Sequence, residues 1–248
     1  MIYYEKYGNE LNPTVIFLHD SESVYCFSKQ CDYLSKNYCA VVPHLPGFGR
    51  NSEKLFSAEA AIDQLTELIS SYNKPVTLVG ASLGAELAFH LFCKNNELFN
   101  GCIMISPWLE KDIEGIEKAL AAINDREKNI KNKFLAGING MAMGLNKDER
   151  RDHSDFCKNV NINSLVAAVD NGISFENYPE YQQIEKPIMA LCGLGESMEV
   201  RKSVRKLSTQ NPNCAYDMWD GVNKNLPVKA SSRLSKTIEE FIDKAYRS

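Results

Sequence analysis

The 248-residue chain has no apolar run of about 18 residues, which excludes a membrane-spanning helix. It has no C-x-x-C pair, so zinc and thioredoxin-type sites find no framework, and no metal is expected. No G-x-G-x-x-G marks a first strand–helix turn, so no dinucleotide cofactor is expected. The opening MIYYEKYGNE lacks the basic and apolar regions of a secretory leader, and a cytoplasmic protein is expected. Basic blocks are missing too. With 28 Lys+Arg against 32 Asp+Glu the net charge is −4, a poor balance for tracking nucleic-acid phosphates. Histidine is scarce: there are four, and none follows His153.

What is present is ordinary globular material, 44% hydrophobic and 24% charged, at a length single α/β domains often reach. Short apolar runs at Thr14–His19, Tyr38–Val42, Val76–Val79, Cys102–Ser106 and Ile188–Cys192 read as strands buried on both faces. Ala215–Trp219 is a weaker run, and IYYEKY reads as an edge strand. Between them lie amphipathic helices. One carries Ala61, Ile62, Leu65, Leu68 and Ile69 on a face with Ser57 as N-cap; another carries Leu234, Ile238, Phe241 and Ile242. The alternation predicts a mostly parallel sheet covered on both sides. Eight cysteines sit largely within these apolar settings and read as buried, reduced thiols.

The stretch Glu110–Asn177 has no strand signal and reads as several helices, punctuated by Gly137, Gly140 and Gly144. Its place between two strands suits a lid over a site at the strand ends. The core is expected at residues 1–109 and 186–248 and the lid at 110–185. Trp108, Phe134, Met141, Met143 and Phe156 would line an apolar pocket beneath it or form its own core.

The most informative segment is VTLVGASLG, Val76–Gly84, followed by AELAFHLF. This is G-x-S-x-G in strand–turn–helix context. A sharp turn lifts the Ser82 hydroxyl out of the sheet, and small neighbours let strand and helix backbones approach. The helix then aims its N-terminal amides at the serine.

With FLHDSES (Phe17–Ser23) and PHLPGFGRNS (Pro43–Ser52), this segment resembles the α/β-hydrolase fold family over nearly the whole chain. Asp20 stands where the family has a glycine, and His44 where it has an aspartate. The resemblance implies an eight-stranded, mostly parallel sheet with a helical cap, and a site needing no cofactor. It also implies roles: Ser82 as nucleophile, the backbone amides of Ser21 and Leu83 as the oxyanion hole, and Glu196 as the triad acid, with Glu199 behind it. The base slot reads MWDGVNKNLPVKAS, which puts Lys224 where the family has histidine.

This departure has chemical weight. An imidazole titrates near neutrality and takes a serine proton; a lysine in a model peptide has a pKa of about 10.4. Burial would lower that value and a neighbouring Glu196 would raise it, so an ion pair is the simplest expectation. Of the histidines, His90 lies about 12 Å along the helix from Ser82. His44 reads as a loop hydrogen-bonding residue, His153 in DERRDHSD as solvated, and His19 as a loop brace or an alternative base. Two functional readings stand. One is a hydrolase of a small carboxylic ester, amide or thioester, binding a small-molecule ligand and using Lys224 or His19 as an unusual base. The other is a catalytically degenerate hydrolase fold serving as a ligand-binding or protein-interaction module. A dehalogenase is disfavoured because it needs a carboxylate nucleophile.

Overall fold

The computed structural model describes residues 2–21, 23–130, 138, 140–141 and 145–246. Seven strands form one sheet: β1 (Tyr4–Tyr7), β2 (Thr14–Leu18), β3 (Cys39–Pro43), β4 (Val76–Ala81), β5 (Phe99–Ile105), β6 (Ile188–Gly193) and β7 (Cys214–Trp219), in the order β1-β3-β2-β4-β5-β6-β7. Every pairing is parallel except β1 on β3. The fold is the expected one, with seven strands among the described residues where the family resemblance implied eight. Tyr4–Tyr7 pairs directly with β3 and occupies that edge by itself.

The period-two alternation sorts each strand between two cores. Val15 and Phe17 of β2 face one side; Ile16 and Leu18 face the other. Met104 and Ile105 of β5 divide the same way, as do Ala190 and Leu191 of β6. Helices α1 (Ser28–Leu34) and α9 (Ser231–Ala245) cover one face, and α2 (Ala58–Ser70), α3 (Leu83–Lys94) and α7 (Met198–Gln210) the other. The predicted stripe of α9 is buried: Leu234, Ile238 and Ile242 are inaccessible and Phe241 nearly so, each contributing about 1.5–3 kcal/mol. Ser57 caps α2 by accepting from the Ala60 amide. All eight cysteines are buried, and none forms a disulfide.

Between β5 and β6 lie α4 (Ile113–Ile130), α5 (Lys147–Asn159) and α6 (Ile162–Val169), followed by 3-10 turns at Phe175–Asn177 and Pro179–Gln183. The return limb belongs to the main core, since Phe175, Tyr178 and Tyr181 pack around Phe89 of α3. The pocket-lining expectation fares unevenly. Phe156 is buried, Trp108 is half-buried and Met141 is exposed; Phe134, Met143, Gly137 and Gly144 lie outside the described residues. Among the described residues no helix is long and apolar enough to cross a membrane.

The strand order reverses direction between β2 and its neighbours β3 and β4. Such a switch point opens a crevice at the carboxyl ends of the strands, where α/β sheets place ligands. The two most distinctive sequence motifs leave the sheet there, from β2 and β4.

Candidate active site

Ser82 follows β4 and precedes α3, with φ 49° and ψ −116°. A non-glycine residue there stores about 1–3 kcal/mol of strain. The surroundings hold it in place. The Ser82 amide donates to Ile105 O of β5 (2.8 Å), and its carbonyl accepts from Ala85 and Glu86 at the start of α3. The flanking glycines are required by contact distance. A Cβ at Gly84 would lie 2.0 Å from Leu18 O, and one at Gly80 2.2 Å from Gly84 O. The first turn of α3 therefore presses on the end of β2, where the loop that carries Ser21 begins.

That loop begins at His19, which is fully buried. Its Nε2 accepts from the Leu45 amide (3.1 Å), so the ring proton sits on Nδ1 and is donated to Asp20 O (2.6 Å). With both nitrogens committed to backbone, His19 braces the loop and is withheld from proton transfer, against its alternative role as base. Burial pushes its pKa down to about 3. Asp20 does not use the positive φ a glycine would permit. Its Oδ1 accepts from the Ser23 amide (2.6 Å), so the carboxylate is turned into its own loop.

His19 makes folding pH-dependent. Its folded pKa lies below the unfolded value near 6.5, so its contribution is complete above that pH and is lost as pH falls toward about 3. Denaturant titrations between pH 6.5 and 5 are expected to show about 1 kcal/mol of stability lost per pH unit from this residue. His19→Gln should flatten the dependence by that amount; an unchanged slope would assign the acid sensitivity elsewhere.

Glu196 lies in the turn after β6, just before Ser197, which caps α7. Glu199, not Glu196, occupies the first helical turn. Glu196 Oε1 accepts from the Ser106 hydroxyl at 2.6 Å. Ser106, at the end of β5, is itself strained, with φ 52°. Its amide donates to Leu191 O (2.7 Å), and the preceding residue, Ile105, accepts the Ser82 amide. One backbone step on β5 thus joins the serine turn to the carboxylate. Nothing in the sequence singles out Ser106: a serine at a strand end gives no signal of positive φ.

The loop carrying Lys224 is built beside the loop carrying Glu196. Gly195 N donates to Val222 O (3.1 Å) and Leu194 N to Trp219 O (2.8 Å). A Cβ at Gly193 would lie 2.0 Å from Val222 O. Asn223 O accepts from the amide of buried Leu226 (2.8 Å), which opens the short helix α8 (Leu226–Lys229). Lys224 sits in this turn and is exposed.

The other histidines are placed as follows. His44 Nδ1 accepts from the Arg50 amide (3.0 Å), and its Nε2 is 3.4 Å from Glu5 Oε1 of β1. His90 Nδ1 is 2.7 Å from the Tyr178 hydroxyl, as expected of a helix-flank residue. His153 differs from its expected solvated setting. It is 3% exposed, with Nδ1 3.4 Å from Ser23 Oγ and Nε2 3.7 Å from Cys157 Sγ. Its burial was legible as a period: His153, Phe156 and Cys157 share one face of α5, continued by Val160 at its C-cap, and all four are buried.

Comparison with known proteins agrees with this fold. MenH from S. aureus superposes with a TM-score of 0.76 at 16% identity, covering 99% of this chain and 100% of that one. A thermophilic esterase from Thermogutta terrifontis gives 0.72 at 18% identity, covering 98% and 93%. A bromoperoxidase from Bacillus anthracis gives 0.77 at 16% identity, covering 98% and 95%. At these identities the likeness is one of fold. No curated protein matches the chain. The family model described as alpha/beta hydrolase fold matches residues 13–141, just over half of the sequence, and with the serine turn, the switch-point loop and the sheet order in place, the chain belongs to the alpha/beta hydrolase fold family.

Proposed function

We propose that this chain is a serine hydrolase of a small carboxylic ester, amide or thioester, with residues 110–185 as a cap over its site. The observation that carries this reading is the strained backbone of Ser82 at the head of α3. Strain of this kind persists only where surrounding contacts over-determine it. Ser82 Oγ attacks the acyl carbon as its proton passes to the Nζ lone pair of Lys224, which later returns it to the leaving group. The carbonyl oxygen becomes an oxyanion, held by the Leu83 and Ser21 amides. Collapse expels the alcohol, amine or thiol, which takes up a proton, and water then releases the acid from the acyl-serine. Glu196, steadied by Ser106, supports the proton-transfer slot, in which Lys224 stands. The Thermogutta terrifontis esterase among the structural neighbours is consistent with this substrate class. Eight buried cysteines outside any disulfide suit a reducing, cytoplasmic setting.

The test is labelling by a serine-directed fluorophosphonate between pH 6 and 10, read by mass spectrometry. Wild type is expected to be modified at Ser82 and Ser82→Ala not at all, with ester hydrolysis lost in parallel. A second reading is favoured by one observation, an exposed lysine in place of the triad histidine. On that reading the fold keeps its pocket as a ligand-binding or protein-interaction module. Absence of labelling across the pH range, with binding of small esters retained, would select it.

A further inference from the structure

His153 touches the loop that carries one of the two oxyanion donors, and it does so from outside the sheet. Ser23, two residues beyond Ser21, is 3% exposed. Its hydroxyl oxygen accepts from the Tyr25 amide (3.1 Å), which leaves the hydroxyl hydrogen for His153 Nδ1 at 3.4 Å. One residue earlier on α5, Asp152 Oδ2 accepts from the Tyr25 hydroxyl (3.4 Å). Among its described residues the loop is held by short-range bonds such as Ser23 N to Asp20 Oδ1, and His19 ties its start to the Leu45 amide. Its anchors on the insertion are therefore adjacent residues of one helix. The imidazole is fixed in turn by aromatic packing. It stacks on Phe156 (6.3 Å between centroids), which meets Phe48 (6.5 Å), which meets His19 (6.0 Å).

We propose that His153 is a positioning residue for the oxyanion hole: through Ser23 it fixes the loop bearing the Ser21 amide, so that the hole is complete only when α5 is seated. This rests on the serine-hydrolase reading of the site. An oxyanion donor works by being preset, and a displacement of about 1 Å costs about 100-fold in rate. Among its described residues the loop has no helix or strand of its own to preset it; His19 holds its start, and the side-chain contact from α5 restrains the part beyond Ser21.

The arrangement also makes the hole sensitive to acid. Burial lowers the His153 pKa, so the ring is neutral at pH 7 and accepts the Ser23 hydroxyl. Protonation turns Nδ1 into a donor and forces that bond to reverse. The groups around the ring are Ser23 and Tyr25 of the loop, with Asp20 behind Ser23, Asp152 and Cys157 of its own helix, and the Arg150 stem beside Gly140. Arg50, from the loop after β3, lies 3.8 Å from Asp152. Loss of the restraint is expected below the ordinary histidine value of about 6.5.

The experiment compares His153→Leu, which removes the acceptor, His153→Asn, which keeps an acceptor that does not titrate, and Ser23→Ala. Amide exchange of peptides spanning residues 19–27 is expected to quicken about tenfold in His153→Leu and Ser23→Ala and to stay near wild type in His153→Asn, with β4 and β5 unchanged. In ester hydrolysis, kcat should fall about 100-fold in His153→Leu with KM little changed. In His153→Asn the acid limb of the kcat profile should disappear. Unchanged exchange in the loop for both His153→Leu and Ser23→Ala overturns the proposal whether or not the enzyme turns over. If Ser82→Ala abolishes activity while these variants leave kcat and loop exchange intact, the hydrolase reading stands and only the role of His153 falls.

Discussion

Lys224→His is expected to raise kcat/KM for a small chromogenic ester by about 10²- to 10⁴-fold, the range a positioned general base contributes. The expectation follows from how completely the slot is built. The loop holding residue 224 is bonded to the acid loop through Gly195 N and Val222 O, and its backbone lies against Gly193. Glu196 is held by Ser106, whose neighbour Ile105 accepts the Ser82 amide, so Glu196, the Lys224 loop and Ser82 share one backbone frame. A histidine placed there meets a carboxylate loop already in position, and its neutral form at pH 7 accepts the serine proton. The gain should vanish in Lys224→His/Ser82→Ala. A rate unchanged by Lys224→His, in a protein whose Ser82 still reacts with the fluorophosphonate, would show that the slot is not aligned on the serine. Lys224→Ala separates a working lysine from a replaced histidine: loss of a wild-type ester activity assigns the lysine a part in proton transfer, and no loss assigns it none.

The elements that position this site were legible because their signals are local. Strands β2 to β6 are short apolar runs, and burial on both faces is what such runs predict. The serine turn was legible because close backbone approach admits only small residues at 80 and 84, a steric demand written into the sequence. Ser106 was not legible, because its strain comes from β6 on one side and Glu196 on the other, partners far away in sequence. His153 was misread as solvated because the charges of DERRDHSD outweighed the three-to-four spacing that places it at the head of an apolar stripe. The bracing role of His19 emerged only from the structure, since it depends on the amide of Leu45 reaching its Nε2.

Glu86→Ala should destabilise the protein by about 3–5 kcal/mol, because it strands a buried ammonium. Glu86 lies one helical turn beyond Ser82, and its amide donates to the Ser82 carbonyl (3.1 Å). Its side chain is 5% exposed, and its Oε2 accepts from Lys111 Nζ (2.7 Å) and Asn171 Nδ2 (2.5 Å). Lys111 is 9% exposed and fills its remaining donors with Val169 O (3.1 Å) and Asn171 Oδ1 (2.9 Å). Burial raises the Glu86 carboxyl pKa, while the Lys111 and Asn171 bonds oppose the rise. Removing the carboxylate leaves those donors with no charge to answer them. Lys111 lies on the outgoing limb of the insertion and Asn171 on its return limb, so one carboxylate ties both limbs to the helix that follows the serine. The loss should appear as a lower denaturant midpoint with an unchanged m-value. Glu86→Leu/Lys111→Met, which removes both charges and keeps the apolar volume, should lose markedly less than the single variant. A single-variant loss below about 1 kcal/mol, the level of an exposed pair, would mean that water reaches Lys111 and that the two limbs are held by packing alone.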